Sequence, residues 1–180
     1  ACGFGDAHPD ACAVRSSGVV SFVDFEHALK RSIYGMTRIL VTGANKGLGL
    51  EAARQLVRAG HSVYIGSRDL ARGQIAAAEL GARAVQLDVT EEASVLTAAE
   101  TVASDGGIDV LINNAGIAPE WHKDGTVVDA STVTAELIEH TFATNVTGAV
   151  RVLHAFLPTL TRSVNPVVVN VSSGLASLSR

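Results

Sequence analysis

Three glycines, Gly43, Gly47 and Gly49, set between a short apolar run and a helical pattern, constrain this chain more than any other feature. The run Arg38-Ile-Leu-Val-Thr42 is too brief for a helix and stops at Gly43, which predicts a buried strand. Beyond the loop Thr42-Gly43-Ala44-Asn45-Lys46-Gly47-Leu48-Gly49, the residues Leu48, Ala52, Leu56 and Ala59 share one helical face, and Gly60 closes the stretch. In such a loop Gly43 permits a tight turn, Gly47 lets the backbone approach a phosphate, and Gly49 lets helix and strand pack closely. The helix start adds unpaired N–H groups, which suit an anion. Strand, glycine loop and helix in this order point to a dinucleotide pyrophosphate.

The alternation then repeats. Strands are expected at 61–65, 84–87, 108–112 and 167–171, and helices at 70–80, with Asp69 as N-cap and Gly81 as stop, and at 91–104. A long loop is expected at 113–131, followed by one long helix at 134–157 ended by Pro158. Successive parallel strands need crossover helices on both faces, so the fold class is α/β, a doubly wound parallel sheet of Rossmann type with ligands at the carboxyl ends of its strands. Residues 36–180 form this nucleotide-binding domain, expected to be incomplete at its C-terminus. Residues 1–35 show no sustained period and are expected to be a leader or upstream segment.

A net charge of −4 supplies no broad positive field, which argues against a nucleic-acid or anionic-membrane partner. No run approaches the roughly 18 apolar residues of a membrane span, and a cytoplasmic location is expected. Both cysteines, Cys2 and Cys12, lie near His8 and Asp10, but without paired CxxC spacing; no metal site is expected.

Four motifs in register carry a resemblance to one family. The G-x-x-x-G-x-G loop preceded by Thr42, the turn Asn113-Asn114-Ala115-Gly116, the helical Thr144-Asn145-Val-Thr-Gly148 and the strand end Val169-Asn-Val-Ser-Ser173-Gly174 together resemble the short-chain dehydrogenase/reductase family. The likeness covers about residues 37 to 180, with Arg68-Asp-Leu-Ala-Arg72-Gly-Gln74 similar to its carbonyl-reductase-like branch. It implies catalytic roles for Asn145 and Ser173, with Ser172 the weaker match. It implies a cofactor site built from Gly43, Asn45, Lys46, Gly47, Leu48 and Gly49, from Asp88 and Val89 beside the adenine, and from Asn114, Ala115 and Gly116 as a wall. For Asp88 a helix-capping role is equally consistent.

The end of the second strand speaks to the choice of cofactor. NAD-selective relatives place an acid where this chain has Ser67, whereas Arg68 can pair with a 2′-phosphate and Lys46 can add a second positive charge. NADP (NADPH) is the expected cofactor. The implied reaction is hydride transfer between nicotinamide and a small-molecule carbonyl or alcohol substrate, in a homodimer or homotetramer. The family's proton donor is a Tyr followed four residues later by Lys, about a dozen residues beyond the serine. The tyrosines here, Tyr34 and Tyr64, precede every catalytic motif, so the 180 residues are expected to be inactive on their own. A second reading is a non-catalytic NADP-binding sensor of the same fold.

Overall fold

A computed structural model describes residues 36–118 and 128–172. Its five strands form one parallel sheet in the order β3-β2-β1-β4-β5, comprising β1 (Arg38–Thr42), β2 (Ser62–Ser67), β3 (Arg83–Gln86), β4 (Val110–Asn113) and β5 (Val167–Asn170). The helices are α1 (Gly47–Arg58), α2 (Leu70–Leu80), α3 (Glu92–Ser104), α4 (Ala135–Phe142) and α5 (Gly148–Leu160), with a π turn, Ala143–Thr147, between the last two.

Alternation along the strands divides the core in two. Ile39, Val41, Val63, Ile65, Val110 and Ile112 pack with Ala53, Leu56, Ala76 and Ala77 of α1 and α2. Leu40, Tyr64 and Leu111 face the other way, onto Val95, Ala98 and Val102 of α3 and Val152, Phe156 and Leu160 of α5. Burying each large aliphatic side chain contributes about 1.5–3 kcal/mol, and because both faces are covered the three central strands read as unbroken apolar runs.

Local chemistry sets most boundaries. Asp69 caps α2 by accepting from the Arg72 N–H at 3.1 Å, and Gly81 ends it with φ +68°. The expected strands shift by one or two residues, which brings Ser67 inside β2 and leaves Ile108 buried ahead of β4. Asp88 does not cap α3, whose N-cap is Glu91; its carboxylate instead binds Thr90 N–H and Oγ1 at 2.9 and 2.7 Å.

The long helix expected at 134–157 is interrupted. Gly148 N–H reaches back five residues to the Ala143 carbonyl, and the Thr147 hydroxyl does the same to Phe142 at 3.0 Å, so one extra residue is accommodated at Ala143–Thr147. Pro158 lies inside α5 rather than ending it. Proline removes only its own N–H bond, and residues beyond it still donate: Thr161 N–H bonds the Leu157 carbonyl at 2.9 Å. The helix stops where Arg162 and Ser163 donate three residues back instead of four. Among the described residues no helix is long and apolar enough to cross a membrane.

Candidate functional site

The order β3-β2-β1-β4-β5 puts the loops after β1 and β4 side by side, and the chain reverses its direction of winding between them, which opens a crevice at the carboxyl ends of these strands. Thr42, buried at the end of β1, ties the two loops together. Its Oγ1 accepts from the backbone N–H groups of Asn114 and Ala115 at 3.0 and 2.9 Å. In return Asn114 Nδ2 donates to the carbonyls of Thr42 and Gly43 at 2.9 and 3.3 Å.

This latch explains two of the glycines sterically. A Cβ on Gly43 would lie 2.9 Å from Ala115 Cα, and one on Gly49 would lie 2.4 Å from Asn114 Nδ2. Gly47 is different: its φ is +59°, yet a Cβ would meet nothing within 4 Å. Its backbone borders open space. The helix that begins there has no acid in its first turn and no side-chain cap from Lys46, whereas Asp69 and Thr134 cap α2 and α4. The first N–H groups of α1 and the positive end of its dipole are left for an anion. A pyrophosphate fits this cradle in charge, in donor supply and in the space above Gly47.

At the end of β2, Ser67 is buried and its hydroxyl donates to the Asp69 carbonyl at 2.8 Å, while Gly73 lets α2 lie against it. Arg68 and Lys46 are exposed, and neither side chain has a hydrogen bond or ion pair with another described residue. Arg72, which the sequence reading did not assign to the site, pairs with Asp69 at 3.2 Å. It also lines a cleft of about 260 Å³ together with Asn45, Lys46, Ile75 and Glu79. Its signal was its place one helical turn after Arg68.

Across the crevice Asn145 sits on the π turn with both amide atoms occupied. Oδ1 accepts from Ile117 N–H and Nδ2 donates to the Ile117 carbonyl, each at 2.8 Å. Gly116 lies beneath this clasp, where a Cβ would come 3.4 Å from Asn145 Oδ1. Asn113, the first residue of the Asn-Asn-Ala-Gly turn, donates to Asn170 Oδ1 at 2.9 Å, joining the carboxyl ends of β4 and β5. Leu48 is half exposed at the first turn of α1, and Val89 is buried after β3. Ser172 is exposed just past β5; Ser173 and Trp121 lie outside the described residues, as do residues 1–35. Among the described residues no group of three or more His, Cys, Asp or Glu side chains is placed to hold a metal ion.

Known proteins resemble this chain in sequence and fold. Residues 37–179 match the model of the short chain dehydrogenase family. A short-chain dehydrogenase/reductase of Stachybotrys chlorohalonatus is 42% identical over 150 residues, covering 77% of this chain and 53% of its own length. Carbonyl reductase [NADPH] 1 of Macaca fascicularis is 43% identical over 91 residues, covering 47% of this chain and 33% of its own. Among solved structures, a 3-ketoacyl-(acyl-carrier-protein) reductase from Brucella melitensis complexed with NADH superposes with a TM-score of 0.61 at 32% identity, over 68% of this chain and 50% of that one. The chain spans about half the length of the Stachybotrys protein and of other curated relatives it matches. With the glycine loop and the Asn113–Gly116 turn side by side at the carboxyl edge of one parallel sheet and a family match over residues 37–179, this chain belongs to the short-chain dehydrogenase family.

Proposed function

We propose that this chain binds NADP(H) along the carboxyl edge of its sheet and serves an oxidoreductase that reduces a carbonyl compound or oxidises the corresponding alcohol. The observation that carries the reading is the cradle at α1: an uncapped helix start without an acid, a positive-φ glycine facing open space, and a latch that fixes the neighbouring loop. Gly43, Gly47, Leu48 and Gly49 would hold the pyrophosphate, Asp88 and Val89 the adenine, and Asn114, Ala115 and Gly116 the wall beside the ribose and nicotinamide.

The preference for NADP over NAD rests on charge. No acid ends β2, and the carboxylate two residues beyond it, Asp69, is committed to the α2 cap and to Arg72. Arg68, Lys46 and Asn45 then offer a guanidinium, an ammonium and an amide to a 2′-phosphate, and Arg72 lines the same cleft as Lys46 and Asn45. Two charge-assisted contacts of about 1.5–3 kcal/mol each discriminate by more than tenfold.

When bound, the nicotinamide supplies the hydride. The chain's own residues orient the reaction: Ser173 would hydrogen-bond the substrate oxygen, and Asn145, its amide spent on Ile117, acts by holding the loop after β4 rather than by touching substrate. Tyr64 is unsuited to donate the proton, because it is buried and bound to Asp105 at 2.7 Å, away from the crevice. The exposed stripe Ile138, Phe142, Val146 and Val150 supports a homodimer or homotetramer for the whole enzyme.

Calorimetric titration of the 180-residue chain with NADPH and with NADH tests the reading. NADPH is expected to bind more than tenfold tighter than NADH. Equal affinities would remove the NADP assignment, and binding of neither nucleotide would remove the function.

A further inference from the structure

The helical segment that carries Asn145 also grips the opposite end of the crevice. On α5, Gly148 and Arg151 are three residues apart and therefore neighbours on one side of the helix. A Cβ at Gly148 would lie 2.9 Å from Val89 Cγ2, so the start of α5 seats its backbone directly on buried Val89. Arg151 completes the contact. Its Nη1 donates to the Val89 carbonyl, and its Nε donates to Glu92 Oε2 at 2.9 Å.

The turn after β3 is shaped by its own bonds, Asp88 to Thr90 and the Ser94 hydroxyl accepting from Asp88 N–H at 2.9 Å. Those bonds are local. Its position relative to α5 is set by Val89 against Gly148 and by Arg151. Three residues before Gly148, Asn145 holds Ile117 with both amide atoms. One helical piece therefore touches the loop after β3 and the loop after β4.

We propose that Arg151 is a positioning residue that braces the Asp88–Val89 turn against the segment holding Asn145, so that the adenine end and the nicotinamide end of the crevice are set by one rigid element. The proposal rests on the NADP(H) reading for the identity of these two ends. A guanidinium is required because its fork presents two N–H groups at fixed spacing, one to a carbonyl and one to a carboxylate; an ammonium is a point charge and serves one of them well.

The test uses Arg151→Met, Arg151→Lys and Glu92→Gln in the 180-residue chain, with two readouts. The first is affinity for 2′,5′-ADP, which probes the adenine end alone. Arg151→Met is expected to weaken it about tenfold, Arg151→Lys less, and Glu92→Gln, which keeps the Val89 contact, no more than about twofold. The second is amide hydrogen exchange without nucleotide. Exchange should quicken in Arg151→Met at residues 88–92 and also at Ile117, with the amino ends of the strands unchanged. A purely structural loss would quicken exchange throughout. Wild-type affinity for 2′,5′-ADP in Arg151→Met, or quickening at 88–92 with Ile117 unaffected, would overturn the brace. Failure of the wild-type chain to bind any nucleotide would overturn the NADP(H) reading instead, and the exchange measurement would still decide the coupling.

Discussion

At the amino ends of the strands, charges pair off across the sheet. Arg38 donates its backbone N–H to Asp109 at 2.9 Å and its guanidinium to the Gly106 carbonyl, and Ser163 donates to the other Asp109 oxygen at 2.8 Å. Arg83 pairs with Asp105, which also accepts from Tyr64. At the carboxyl ends the loop after β4 is held by neutral groups, Thr42, Asn114 and Asn145, and Asn113 joins β4 to β5; charges pair there at Arg72–Asp69 and Arg151–Glu92, but the Lys46 and Arg68 side chains project without a described partner. One end spends its charges on itself; the other fixes the loop after β4 with neutral bonds and leaves two cationic side chains and the helix N–H groups of α1 to a ligand. Substitutions at the two ends should therefore separate stability from binding.

The largest effect is expected at Thr42→Val, which keeps the volume and removes the acceptor shared by two N–H groups. Orphaning both should cost about 2–4 kcal/mol in a urea titration and weaken NADPH more than tenfold, because Asn114 and Ala115 lose their anchor. A variant with wild-type stability would show that the latch does not organise the crevice.

At the other end, Asp109→Asn should cost about 1–2 kcal/mol and leave the NADPH affinity unchanged. Burial works to raise the Asp109 carboxyl, but the Arg38 N–H, the Ser163 hydroxyl and the Arg38 charge together outweigh it and hold it below the usual carboxylate range. A carboxyl depressed in the folded state stabilises above its unfolded value, near 3.9, and loses that contribution as pH falls through the lower folded value. The stability difference between wild type and Asp109→Asn should therefore be constant at neutral pH and shrink below about pH 4. A difference that grows on acidification would contradict the assignment. So would weaker nucleotide binding.

How far the sequence reveals this division follows from the range of the interactions. Gly43, Asp69 and Gly81 act within a few residues, so the strand, cap and helix stop they imply appear where expected. The π turn was hidden, because 134–157 carries an unbroken apolar pattern and the feature that accompanies the wide turn, Asn145 on Ile117, joins residues 28 apart. Thr42 was likewise legible as part of a motif but not as the latch, since its partners lie 72 and 73 residues away. Residue types in the crevice could be identified from spacing; who holds whom could not.

A smaller effect is expected at Gly47→Ala. Because no atom lies within 4 Å of the added Cβ, only the backbone conformation at φ +59° resists it, at about 1–2 kcal/mol. Gly43→Ala adds a clash with Ala115 and should cost more. If Gly47→Ala instead costs as much as Gly43→Ala, the space above Gly47 is not open and the pyrophosphate has no room there. Chemical denaturation of the two variants side by side makes the comparison.

The smallest effect on folding, and the sharpest on function, is expected at Arg68→Ala. Arg68 is exposed and makes no hydrogen bond or ion pair with a described residue, so its removal should change stability by less than about 0.5 kcal/mol. Stability alone would therefore mark it as dispensable. Affinity should tell another story: NADPH binding weakens about tenfold or more while NADH binding, which lacks the 2′-phosphate, stays near the wild-type value. Raising the salt concentration should narrow the NADPH difference, since an exposed guanidinium and a phosphate are screened. Were NADH binding to fall as much as NADPH binding, Arg68 would be supporting the loop rather than reading the phosphate, and the contrast between a self-paired end and a ligand-facing end would rest on the α1 cradle alone.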